Sequence, residues 1–255
     1  SAEAQKKGLD ISETGGQANE ENGGEKAGQM ANADRDADHK NGTGDENEAG
    51  VSGNAVPGKA AEEKQEADEE PLEFTHVDKE YFADAVFIGD SRTVGMYEYG
   101  GLEETSTFYA STGLTIYKMF DSKIVAVPGQ KKKITVEEAL SEKQFAKIYL
   151  MIGINEMGTG TVESFMKAYG EAVQHLQELQ PDAVIYLQAI MKVTTERSEQ
   201  GDYITNEGIG ARNAEIAELA DDQKIFFLDV NPLICDETGG MVASYTYDGV
   251  HLKAQ

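Results

Sequence analysis

The sequence predicts a doubly wound α/β domain, a three-layer α/β/α arrangement around a five-stranded parallel sheet in the common order 2-1-3-4-5. Three observations carry that expectation. Five short runs are nearly continuous in apolar residues, as strands buried on both faces must be. They alternate with segments that carry helix signals, the clearest with apolar residues recurring every three or four positions on a core-facing stripe. Three of the runs end in glycine-bearing turns, at the strand ends where such sheets open their binding crevice.

The first 70 residues stand apart. They hold no Phe, Tyr or Trp, and they carry 18 acidic against 7 basic residues. Such a segment buries too little apolar surface to offset the entropy of ordering it, so a disordered leader is expected over 1–72 and a folded domain over 73–255. Asp34-Arg35-Asp36-Ala37-Asp38 within the leader resembles the start of a calcium loop. Its sixth position is His39 where the turn wants Gly, and no apolar helices flank it, so it reads as a solvated charge run.

Ala85–Ile88 is the first strand, and Gly89-Asp90-Ser91 the turn that ends it. Arg92–Tyr99 follows as a short helix stopped by Gly100-Gly101. Thr107–Ala110 is the second strand, ending at Ser111-Thr112-Gly113. Ile124–Val127 reads either as a small extra strand or as part of an excursion, and Lys131–Lys133 as a solvated loop. Thr135-Val-Glu-Glu138 has the spacing of a capping box and opens a helix through Leu140. Lys147–Ile152 is the third strand, stopped by Gly153. Phe165, Tyr169, Ala172, Leu176 and Leu179 form one helical stripe, with His175 at its boundary. Ala183–Leu187 is the fourth strand, Lys192–Thr205 a long polar loop, Ile209 to Ala220 a helix, and Ile225–Leu228 the fifth strand.

The net charge of −25 argues against a nucleic-acid partner, which needs a basic footprint. One cysteine, Cys235, excludes an internal disulfide and a zinc-type cysteine cluster. No apolar run reaches the length of a transmembrane segment. The chain begins with Ser1, which fits a processed product. A long acidic leader fits a spacer, so an extracellular or surface-tethered protein is expected, acting as a monomer and without cofactor or metal.

The candidate chemistry lies at the strand ends. Taken alone, Gly-Asp-Ser reads first as a helix cap, since Asp and Ser are favoured there. In the order 2-1-3-4-5, however, the ends of the first three strands are neighbours. Ser91, a bare backbone N–H at Gly113 and the side-chain amide of Asn155 then meet, and with the Ser91 N–H they form three donors aimed at one spot. A serine hydroxyl needs a neighbouring base. His251, on a loop after the last strand, is the candidate. Asp248, three residues earlier, is placed to orient it, although Asp-x-x-His in isolation also describes a turn aspartate and a surface histidine.

Gly-Asp-Ser after the first strand, Gly113 after the second, Gly153-Ile154-Asn155 after the third and Asp248-x-x-His251 near the end together resemble the SGNH/GDSL hydrolases, over roughly Phe74 to the last residue. The resemblance implies a flavodoxin-like sheet and a serine esterase. Ser91 is then nucleophile, His251 general base and then acid, and Asp248 the residue that orients His251. Ser91, Gly113 and Asn155 are the oxyanion donors. Arg92 is a possible substrate or loop contact, or equally a structural salt bridge; Gly-Asp-Ser-Arg is common in an exported bacterial subgroup. That subgroup implies an O-acetyl ester on a carbohydrate or cell-wall polymer, with O-acyl transfer on the same site or a non-catalytic glycan-binding module as alternatives. Two departures stand out. Glu156 replaces a common Asp, a change expected to affect the loop more than the chemistry. Similar proteins also continue into a closing helix where this chain stops, four residues past His251, so either the chain is trimmed or the His251 loop is weakly anchored.

Overall fold

Every expected strand forms, and all five join one parallel sheet in the order β2-β1-β3-β4-β5. The computed structural model describes residues 75–254, so the expected leader and its Asp34–Asp38 charge run lie outside the described residues. In chain order the elements are β1 (Ala85–Gly89), α1 (Ser91–Tyr99), β2 (Thr107–Ala110), α2 (Val136–Glu142), β3 (Lys147–Met151), α3 (Val162–Leu179), β4 (Val184–Gln188), α4 (Thr195–Ser198), α5 (Asn206–Ala217), β5 (Ile225–Leu228) and α6 (Asn231–Ile234). The register aligns Gly89 with Ala110 on one side and Met151 on the other. The loops after β1, β2 and β3 therefore leave the sheet at one level, beside the point where strand order reverses.

Local chemistry accounts for the helix starts. Thr135 accepts from the Glu138 N–H while the Glu138 carboxylate accepts from the Thr135 N–H, the reciprocal cap expected from Thr-x-x-Glu. Thr161 and Ser164 cap α3 in the same reciprocal way, and Thr205 caps α5 singly by accepting from the Gly208 N–H. The segment 124–127 turns out to be an excursion. It contributes a single antiparallel bridge, Val125 to Ile134, and no strand of the sheet.

One sheet face, with Val86, Ile88, Ile148, Leu150, Ile185 and Leu187, packs against the α3 stripe Phe165, Tyr169, Ala172, Val173 and Leu176. The opposite face is aromatic. Register partners stack in a ladder, Phe108 on Phe87 (centroids 4.9 Å apart), Phe87 on Tyr149 (4.7 Å) and Tyr149 on Tyr186 (4.6 Å), continuing to Phe226 (5.8 Å). Met96 and Tyr97 of α1 pack on the β1–β2–β3 end of this ladder. The far end is not sealed as the sequence leads one to expect: Tyr186, Phe226 and Leu228 are only half-buried among the described residues.

The polar stretch after β4 is more structured than a loop. Its backbone groups cannot be left unpaired beside the core, and three asparagines meet them. Asn213 accepts from Ile190 N–H and donates to Ile190 O; Asn206 does the same at Val193; Asn231 accepts from Lys192 N–H. The shelf so made, 190–194, carries the C-terminal loop: Thr194 N–H donates to Gly249 O and Met241 N–H to Val193 O.

Candidate active site

The turn after β1 depends on Gly89. A Cβ built there would lie 2.1 Å from Thr93 Oγ1 and 2.3 Å from the Met151 carbonyl oxygen, so only glycine lets β1, β3 and the first turn of α1 approach this closely. Asp90 then caps α1, its Oδ1 accepting from Arg92 N–H at 3.0 Å. The cap reading of this turn is thus correct for Asp90. It leaves Ser91 as the first helical residue, partly exposed at the strand end.

His251 arrives from the other end of the chain. Its Nε2 lies 2.8 Å from Ser91 Oγ, and its Nδ1 lies 2.6 Å from Asp248 Oδ2. An ionised carboxylate only accepts, so Nδ1 carries the proton and Nε2 accepts from the serine hydroxyl. The other carboxylate oxygen of Asp248 accepts from Val250 N–H (2.8 Å), His251 N–H (2.8 Å) and Thr246 Oγ1 (3.1 Å). Partial burial works against the charge on Asp248. The His251 N–H, the His251 ring and the Val250 N–H outweigh it, and the carboxyl is held well below the usual carboxylate range.

The loop that carries this pair is firmly tied. Gly249 has φ +79° and a Cβ there would meet Arg197 Cβ at 2.8 Å and Thr194 Oγ1 at 2.9 Å, so the turn between Asp248 and His251 needs glycine. Besides the Thr194 bond, Arg92 Nε donates to Val250 O at 3.3 Å and Lys253 N–H donates to Tyr245 O. Weak anchoring of the His251 loop is therefore not what the described residues show. Arg92 itself is a loop contact. It is buried, and desolvation lowers its affinity for its proton while Asp90 and Asp248 raise it. Burial likewise pushes the Asp90 carboxyl up, opposed by Arg92.

Gly113 (φ +76°) and Asn155 are both exposed, on the turns after β2 and β3. Asn155 Nδ2 donates to Leu114 O at 2.9 Å, which ties the two turns together. An amide carries two such hydrogens, so one remains for another acceptor. A cavity of about 310 Å³ opens beside Ser91 and His251, walled by Met96 and Tyr99 of α1, Met151, Ile234 and Leu252.

Two features escaped the sequence reading. Thr246 was not singled out, although its hydroxyl bonds Asp248 and accepts from Gly249 N–H. Glu156, read as a loop variation, is fully buried and bonded across to the β2 turn. The available signal was its position between apolar Ile154 and Met157. Among the described residues no cluster of three or more His, Cys, Asp or Glu side chains is arranged to hold a metal ion, and no helix is long and apolar enough to cross a membrane.

Comparison with known proteins bears on the family and the fold. No curated protein matches the sequence. Among solved structures, a Streptococcus pneumonia protein provisionally assigned as a platelet activating factor is similar at 25% identity and TM-score 0.52, covering 67% of this chain and 76% of its own. A GDSL-like lipase from Bacteroides thetaiotaomicron shares the fold at 18% identity and TM-score 0.50, covering 66% of this chain and 79% of its own. The GDSL-like lipase/acylhydrolase family matches residues 87–255, which is most of the chain and runs from within β1 through His251. The chain belongs to that family and is an ester hydrolase.

Proposed function

We propose that this hydrolase is a serine esterase working through Ser91, His251 and Asp248. The observation that carries the reading is the continuous relay from Ser91 Oγ to His251 Nε2 and from His251 Nδ1 to Asp248 Oδ2, at 2.8 and 2.6 Å. Ser91 Oγ attacks the ester carbonyl while His251 Nε2 takes its proton. The tetrahedral oxyanion is met by the N–H groups of Ser91 and Gly113 and by Asn155 Nδ2. The imidazolium, stabilised by Asp248, returns the proton to the departing alkoxide, leaving Ser91 acylated. Water then attacks the acyl-enzyme with His251 again as base, and the acid and free Ser91 are released.

For the substrate we favour a small acyl ester, foremost acetyl, on a carbohydrate or cell-wall polymer, with the enzyme outside the cell or tethered to its surface. The open situation of the site supports a polymer: Gly113 and Asn155 are exposed and Ser91 partly so, leaving a chain free to lie across them. The cavity beside Ser91 has room for one small group of the ester.

Hydrolysis of a short aryl acetate by the parent, Ser91→Ala and His251→Ala proteins tests the reading. Each variant is expected to lose roughly three orders of magnitude or more in kcat. A folded parent no faster than buffer overturns it. Acetate release from an acetylated oligosaccharide, compared with transfer to an added acceptor sugar, separates hydrolysis from acyl transfer.

A further inference from the structure

Two neighbouring side chains bridge the turns after β2 and β3. Asn155 donates to Leu114 O, and Glu156 Oε1 accepts from Ile116 N–H at 2.5 Å. The second contact lies beneath the first. Glu156 is 0% exposed, on the short 3-10 turn Ile154–Glu156 that follows Gly153. Its other oxygen, Oε2, is buried without a hydrogen-bond partner among the described residues, as are the Tyr169 hydroxyl and Arg212 Nε.

The groups around this carboxyl come from three elements. Asp90, the cap of α1, opposes its charge; Arg212 of α5 favours it; and Tyr169 of α3 senses it. From the β2 turn the only contribution is the Ile116 N–H, which also favours the charge. Burial is the largest influence, and together these push the carboxyl up from 4.5 to about 7. Near neutral pH the same side chain therefore exists both as a neutral acid and as an anion. The Ile116 N–H can be accepted in either form, but only the anion places a negative charge next to Asn155, one of the donors that the esterase reading assigns to the oxyanion.

We propose that Glu156 is a positioning residue for the oxyanion donors, holding the Gly113 turn through Ile116 and setting the charge beneath Asn155. This rests on the esterase reading, and its logic is electrostatic. An anion one residue from Asn155, itself buried away from water, opposes a second anion in the transition state. A carboxamide at 156 keeps the acceptor for Ile116 and abolishes the charge. A shorter side chain keeps the charge and withdraws the acceptor.

The test compares parent, Glu156→Gln, Glu156→Asp and Ser91→Ala on an aryl acetate from pH 5.5 to 9. The ratio of kcat for Glu156→Gln to that of the parent is expected to rise about threefold or more as pH passes through 7. Glu156→Asp is expected to lose about tenfold in kcat with KM within twofold. A flat ratio across pH, or an Asp variant with parental kcat, overturns the role while leaving the esterase intact, provided Ser91→Ala is inactive. A parent without Ser91-dependent hydrolysis overturns both. Should the Asp variant fail to fold, the pH dependence of the Gln ratio alone decides.

Discussion

The side chain of Arg92 donates through Nε to the carbonyl oxygen of Val250, so the residue after Ser91 is tied to the residue before His251. The two reacting groups are thus joined twice, once directly and once through their chain neighbours. Arg92→Lys keeps a cation opposite Asp90 but loses the planar donor that reaches Val250. We expect its kcat on an aryl acetate to fall about tenfold with KM little changed, because small displacements of a base from its nucleophile are expensive. Arg92→Met leaves Asp90 its bond from the residue-92 N–H but removes the buried donor to Val250 O, and should destabilise the fold by about 1–3 kcal/mol in a urea titration. Parental kcat in Arg92→Lys would show that the loop needs no such tie.

Asp248 does more than face the imidazole. One oxygen organises the Thr246–His251 turn and the other fixes the ring. Asp248→Asn can still accept from the turn's N–H groups, but it presents either a donor or a weaker acceptor to Nδ1. A loss of about three to four orders of magnitude in kcat is expected, with the turn preserved. The same carboxyl makes stability depend on acid. The carboxyl sits below its usual range, so its contribution is present above that range and lost as pH falls toward the depressed value. The parent should therefore lose more stability than Asp248→Asn on acidification, as read by thermal melts between pH 7 and pH 3.

The parts of this molecule that could be read from sequence are those whose cause is local. The strands at Thr107–Ala110 and Ile225–Leu228 end where their apolar runs end, and the Thr135 cap follows from four consecutive residues. Ser91, Gly113 and Asn155 could be proposed because a doubly wound sheet brings the ends of its first three strands together whatever the loops contain, and His251 because a serine hydroxyl needs a base. What was hidden depends on partners distant in sequence. Asn213 looks like one polar residue in a helix stripe, yet it clamps both backbone groups of Ile190. Arg92 offered a substrate or loop contact and a structural salt bridge with equal force until the position of Val250 O was known. Glu156 looked like a small change to a loop, because burial of a charge is a property of the packed core.

Gly89 gives a stability prediction with an internal control. In Gly89→Ala the new methyl meets a hydroxyl on Thr93 and a main-chain oxygen on Met151. The first can turn away; the second cannot without moving β3. A loss of about 3 kcal/mol is expected by chemical denaturation, and adding Thr93→Ala should recover little of it. Full recovery in the double variant would mean that the side chain, and not the closeness of β1 to β3, demands glycine.

Glu156 should also leave a mark on folding that needs no substrate. Its carboxyl is raised from 4.5 to about 7 in the folded protein, chiefly by burial, so the folded state holds that proton more tightly than the unfolded chain does. The stability this contributes is complete below about 4.5, declines as pH rises, and is gone above about 7. At roughly 1.4 kcal/mol for each tenfold difference in proton affinity, the decline is on the order of 3 kcal/mol. Glu156→Gln cannot ionise, so its unfolding free energy relative to the parent should climb across that window and then level. Asp90 opposes the charge at 156, so the difference between the two proteins reports that charge together with its coupling to Asp90. Denaturant titrations at pH 5, 6, 7 and 8 read it directly, and a difference that stays constant with pH would mean that the charge at 156 is already compensated inside the fold.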